Sequence, residues 1–169
     1  MTAKSYQTMT ASFRRHPWLR RALRIFNRIT TLCVYGIYLG YLLILLVNRS
    51  TNLLSAVLIP GVGFVLLSLY RDRVNAPRPY EVLDITPIIH KDTKGHSFPS
   101  RHVFSVFVIA ATLGYQHPLL GALLGVIGLL ISVNRVLGGV HFPKDVLVGM
   151  ALGILCGWGG SALLALLLL

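Results

Sequence analysis

The chain has 169 residues, of which 54% are hydrophobic and 12% charged, against about 25% charged in ordinary soluble domains. So much apolar surface excludes a soluble domain of this length and fits a protein whose solvent is lipid. The formal net charge of +11 would suggest nucleic acid in a soluble chain, but the sixteen Lys and Arg are clustered, seven in residues 4–28 and six in 71–101. Arg135 and Lys144 flank one turn, and Arg49 is the only other. That distribution reads as membrane anchoring plus one basic functional site, with no nucleic-acid partner.

Residues 1–10 are polar and are expected to be disordered. Residues 11–28, ASFRRHPWLRRALRIFNR, interleave basic residues with Trp18, Leu19, Leu23, Ile25 and Phe26 at roughly helical spacing. This predicts a basic amphipathic helix on an anionic leaflet. The expected organisation is a tail and interfacial helix over 1–28, then a membrane domain over 29–169. The long basic start, with no small-residue cleavage site after the apolar run, is not that of a secretory signal.

Five apolar spans follow, at about 29–47, 53–70, 101–116, 118–137 and 145–168. The expected fold is all-α, a polytopic membrane helix bundle. Some spans fall short of the ~20 residues that cross a bilayer, which predicts helix mouths recessed in a bundle or local thinning. Pro60, Gly61 and Gly63 should bend the second span. Gly121, Gly125 and Gly128, and Gly149, Gly153 and Gly157, form small-residue stripes that let helices pack closely. Cys33 and Cys156 lie in apolar segments and read as packed thiols, not a disulfide.

The connection 71–99 is long and polar, which in a chain this short points to function. Five crossings place the N-terminus, this loop and the 138–144 turn on one face, with fifteen of the sixteen cations. The positive-inside rule assigns that face to the cytoplasm. The expectation is a multi-pass cell-membrane protein with its active site on the cytoplasmic side.

Three chemical clusters share this face: RDRVNAPRP (71–79), FPSRH (98–102) and NRVLGGVHFPKD (134–145). Singly, each has a structural explanation. A terminal arginine snorkels, Ser100 caps a helix, and a histidine near the interface is ordinary. Together they bring Arg71, Arg78, Ser100, Arg101, His102, Arg135, His141 and Asp145 to one end of a bundle, and ionisable groups near a bilayer point to function. Arginine forks and a helix N-terminus suit phosphate oxygens. Two histidines can divide nucleophilic attack from proton delivery. If Pro143 starts the last helix, Asp145 can reach back to His141, fixing its tautomer and stabilising its positive charge. Metal ligation is the rival use of these histidines, but no HExxH or paired-Cys spacing occurs and the arginines would repel a cation. No metal or cofactor is expected.

These residues resemble the type 2 phosphatidic acid phosphatases, membrane lipid phosphatases related to vanadium haloperoxidases. That family's Lys, six residues, Arg-Pro is matched by Arg71 and Arg78-Pro79. Its Pro-Ser-Gly-His is matched by Pro99-Ser100-Arg101-His102. Its Ser-Arg, five residues, His, three residues, Asp is matched by Asn134-Arg135, His141 and Asp145. The resemblance implies hydrolysis of a membrane lipid phosphate or diphosphate without a metal. His141 would be the nucleophile, oriented by Asp145, and His102 the general acid. Arg71, Arg78, Ser100 and Arg135 would hold the phosphate. Arg71 keeps the charge of the family's Lys, and Asn134 loses one hydroxyl. Arg101 is the largest departure: it removes the backbone freedom of a glycine and adds a cation. Two readings attach to it, a diphosphate preference or a solvent-facing side chain, and it motivates the alternative of a catalytically silent lipid-phosphate-binding or scaffold protein. Membrane members of the family often have six crossings and a site outside the cytoplasm, where five are counted here.

Overall fold

A helix, once its backbone is satisfied internally, can sit in lipid with apolar side chains outward. The computed structural model, which describes residues 1–91 and 93–167, is built in that way. Among the described residues the elements are α1 (Ala3–Met9), α2 (Ala11–Arg15), α3 (Pro17–Val47), α4 (Asn52–Val74), α5 (Pro79–Val82), α6 (Arg101–Gln116), α7 (Pro118–Leu137) and α8 (Pro143–Leu167), with no strand.

Four stretches are long and apolar enough to cross a membrane: α3, residues Asn52–Val82, α7 and α8. Their exposed side chains, such as Leu39, Leu43, Leu66, Leu130 and Leu155, are the large hydrophobics that lipid would cover. The fifth expected span is α6. Its 16 residues rise only about 24 Å, less than the ~30 Å hydrocarbon core. It is buried nearly all round, from Val103 to Gly114, because α8, α7 and α4 enclose it. A helix apolar on every side belongs in such a place. Its N-terminus therefore opens inside the bundle, and the residues there form a recessed site.

The glycine stripe of α8 explains how closely α6 approaches. A Cβ added at Gly149, Gly153 or Gly157 would lie 2.8 Å from the carbonyl oxygen of Ser100, Phe104 or Val108 respectively. In α7 the stripe is only partly used. Gly121 meets Gly114 and Gly128 meets Phe107, whereas Gly125 faces open space.

One expectation at the N-terminus is corrected. Residues 1–10 are ordered: Thr2 and Ser5 form a reciprocal cap on α1, and Tyr6 and Thr10 are fully buried. Tyr6 donates to the Leu137 carbonyl at 3.2 Å, so α1 rests on the turn after α7. At residue 28 the helix continues without a break, since α3 runs from Pro17 to Val47. Nothing in 26–31 breaks a helix, so the basic turns extend the span.

Candidate active site

Arg71 lies in the last turn of α4, which ends at Asn75 in a left-handed conformation. Its guanidinium donates to the carbonyls of Pro99 and His96. Arg78 precedes α5 and donates to the carbonyls of Val140, at 3.1 Å, and His96, at 3.4 Å. Glu81 closes this corner by accepting from the backbone N–H groups of Arg78 and Gly95. The first sequence cluster is thus fastened to the second and to the third.

Pro143 does begin α8, and this returns Asp145 toward His141. The Asp145 backbone carbonyl accepts from Ser100 N–H at 2.8 Å, pinning the start of α6 to the start of α8. The carboxylate reaches His141 less directly than the spacing suggests. Asp145 Oδ2 stands 3.7 Å from His141 Nδ1 and accepts from Ser97 Oγ at 2.6 Å and Phe142 N–H at 2.9 Å. The near partner of His141 Nδ1 is the Ser97 carbonyl oxygen, at 2.9 Å. A carbonyl only accepts, so Nδ1 carries the proton and Nε2 keeps its lone pair. Burial holds the His141 imidazolium pKa down to about 4, against the opposing pull of Asp145. The ring is therefore neutral at physiological pH.

Of the expected residues, Arg71, Arg78, Arg101, His102 and His141 line one cleft, while Ser100, Arg135 and Asp145 are buried and do not line it. Arg71, Arg78 and Arg135 are between 2% and 6% exposed, and among the described residues none ion-pairs with a carboxylate. Arg78 Nε, Arg135 Nε and Ser100 Oγ are buried without a hydrogen-bond partner among the described residues. Arg71, Arg78, Lys91, Arg101, His102 and His141 line a cleft of about 260 Å³. A second cavity of about 240 Å³ is mostly apolar, with Val34, Phe64, Val106, Ile109 and Ile131 in its walls. It shares Arg101 and His102 with the cleft. Arg101 is exposed, its guanidinium 5.2 Å from the centre of the Phe64 ring.

Two residues at the site escaped the sequence reading. Ser97 lies just ahead of the second cluster, and its contribution runs partly through a backbone carbonyl, which no residue type announces. Lys91 lies in the long loop and looked like one of many cations. Burial, then the charges of Arg78, Arg135, Arg71 and Arg101, push its pKa down to about 8. Asn134, by contrast, faces away from the cleft: its amide donates to the Leu23 carbonyl at 3.1 Å and ties α7 to α3. No group of three or more His, Cys, Asp or Glu suited to a metal ion is found among the described residues.

A sequence profile of the PAP2 superfamily matches residues 50–166, which include all three clusters. The chain belongs to the PAP2 superfamily. It is 28% identical over 157 residues to phosphatidylglycerophosphatase B of Bacillus subtilis, covering 83% of this chain and 73% of that one. It is 32% identical over 113 residues to an undecaprenyl-diphosphatase of Sulfolobus acidocaldarius, covering 66% of this chain and 55% of the relative. The crystal structure of Aquifex aeolicus LpxE superposes with a TM-score of 0.74 at 27% identity, covering 95% of this chain and 94% of that one. A PAP2-type phosphatidylglycerolphosphate phosphatase from Bacillus subtilis shares the fold, with a TM-score of 0.69 at 24% identity, covering 95% of this chain and 84% of that one. This PAP2 protein is a membrane phosphatase, and the end of α4, the start of α6 and the α7–α8 turn carry the residues that resemble the family's motifs.

Proposed function

We propose that this protein removes phosphate from a membrane lipid through a phosphohistidine on His141. The observation that carries the reading is the burial of Arg71, Arg78 and Arg135 around a neutral histidine, with no carboxylate paired to them among the described residues. Burying three guanidiniums is costly unless an anion joins them. A phosphoryl group supplies that anion, and its oxygens match the arginine forks and the Ser100 hydroxyl.

In the first step His141 Nε2 attacks phosphorus and the bond to the leaving oxygen breaks. His102 gives that oxygen its proton. In the second step water attacks the phosphohistidine, His102 takes the water's proton, and inorganic phosphate leaves. Ser97 and Asp145 hold His141 in the tautomer that attacks. Positioning and charge stabilisation suffice for phosphoryl transfer of this kind, so no metal is required. The lipid tail lies in the groove lined by Val34, Phe64, Val106, Ile109 and Ile131, while the head group occupies the basic cleft.

The named relatives motivate the panel: phosphatidylglycerophosphate, undecaprenyl diphosphate and phosphatidic acid. Purified protein in detergent with a chelator present should release phosphate from at least one, and vanadate should inhibit. Failure with the whole panel would contradict the reading. The catalytic end is assigned to the cytoplasm on the charge asymmetry. A single Cys at Lys94, with Cys33 and Cys156 replaced by Ser, should resist an impermeant thiol reagent in intact cells; labelling from outside would overturn this assignment.

A further inference from the structure

Arg101 stands where the head-group cleft and the tail groove meet. Among the described residues only Arg101 and His102 line both. Its side chain is exposed, rests on the Phe64 ring and has no carboxylate partner among the described residues. Arg71 and Arg78 spend donors on loop carbonyls, whereas among the described residues no such bond occupies Arg101.

The position matters because it fixes which part of a substrate Arg101 would meet. This argument rests on the phosphatase reading above. With the terminal phosphoryl group against His141, the next atoms of the substrate must pass Arg101 and His102 to reach the groove. In a phosphomonoester those atoms are an ester oxygen and the first carbons of the alcohol, which offer a guanidinium no charge. In a diphosphate they are the bridging oxygen and the inner phosphate, which carries one. We propose that Arg101 binds the inner, lipid-attached phosphate, and that lipid diphosphates are the preferred substrate class of this protein. Lys91 adds a further cation to the same cleft beyond the three buried arginines.

The chemistry balances. His141 Nε2 bonds to the outer phosphorus as the bond from that phosphorus to the bridging oxygen breaks. The electron pair stays on the bridging oxygen, and the lipid monophosphate departs. Water then cleaves the phosphohistidine to inorganic phosphate. The departing phosphate has a second pKa of about 6, so it leaves without needing a proton, unlike an alkoxide. Turnover of a diphosphate should therefore depend less on His102 than turnover of a monoester.

The test compares a polyprenyl diphosphate, the monophosphate of the same tail, and phosphatidic acid, using full-length protein in detergent. A charge-assisted hydrogen bond predicts kcat/KM about ten- to a hundredfold higher for the diphosphate than for its matched monophosphate. Arg101→Gln should shrink that ratio toward one by lowering the diphosphate rate, and Arg101→Lys should retain part of it. The assignment is overturned if the wild type turns over the matched monophosphate equally well, or if Arg101→Gln lowers both rates equally. Release from monoesters alone defeats only the assignment to Arg101. Release from none of the lipids defeats the phosphatase reading, and this inference with it.

Discussion

The carbonyl oxygen of Ser97 lies 2.9 Å from Nδ1 of His141, nearer than the Asp145 carboxylate at 3.7 Å. The Ser97 hydroxyl in turn donates to that carboxylate at 2.6 Å. Asp145 thus orients the histidine largely through the segment that carries Ser97. Ser97→Ala keeps the carbonyl but deletes the bond to the carboxylate. Hydrogen bonds to charged groups contribute about 1.5–3 kcal/mol, so kcat should fall about ten- to a hundredfold with KM little changed. Asp145→Ala should cost more. Steady-state kinetics on both variants checks the order; equal KM and kcat to wild type in Ser97→Ala would remove Ser97 from the account.

Folding should become less favourable as the medium turns acid, because His141 is buried neutral. Its folded pKa of about 4 lies below the ordinary 6.5. The unfolded chain therefore binds the extra proton first as pH drops. The stability contribution is whole above pH 6.5 and is lost as pH falls toward 4. The full loss approaches about 3 kcal/mol. Thermal unfolding in detergent from pH 7 to pH 4 should show this slope, and His141→Asn should flatten it.

Lys91 predicts a pH effect of the opposite sense on anion binding. Its pKa of about 8 must rise when an anion enters the cleft, so binding takes up a proton. Affinity for phosphate or vanadate should weaken as pH climbs through about 8. Inhibition constants measured from pH 7 to 9 should show a limb that Lys91→Met removes. The same limb in both proteins would assign it to the anion's own ionisation.

The N-terminal helix supports the catalytic turn. Gly139, two residues before His141, has φ of +74°, and a Cβ there would sit 2.5 Å from the Tyr6 hydroxyl oxygen. Gly139→Ala meets both backbone strain and this clash, for about 1–3 kcal/mol. Tyr6→Ala opens a buried cavity, for about 3–5 kcal/mol by analogy with Phe→Ala. Both variants should lower the unfolding midpoint. Tyr6→Phe, which keeps the ring but loses the hydroxyl that bonds the backbone at Leu137 and Ile88, should cost about 1–2 kcal/mol.

These particulars show where reading the chain in one dimension succeeds. The three clusters were legible because their cations and histidines sit at helix ends, and helix ends at one face of a bundle must converge. Their order and spacing carried the family resemblance. Four of the five expected spans followed from hydropathy, whereas α6, apolar but only 16 residues long, is a buried helix too short to cross. Tyr6 was hidden by polar neighbours, since burial of one aromatic in a short amphipathic helix leaves little compositional trace. The boundary at residue 28 was read from charge, which marks where a helix leaves lipid and not where it stops. Asn134 matched by position, yet its side chain is held by α3. Ser97 acts through a carbonyl and a hydroxyl set by tertiary structure, beyond the reach of any spacing argument.

The central claim is that His141 takes the phosphoryl group. Its most direct test is to mix the protein with a turned-over lipid phosphate, quench under alkaline conditions that preserve phosphohistidine, and locate the modification by mass spectrometry. The account predicts one acid-labile phosphoryl group on His141, absent from His141→Ala, whose turnover should fall about a thousandfold or more. Rapid turnover in His141→Ala, or a phosphoryl group found on another residue, would contradict it.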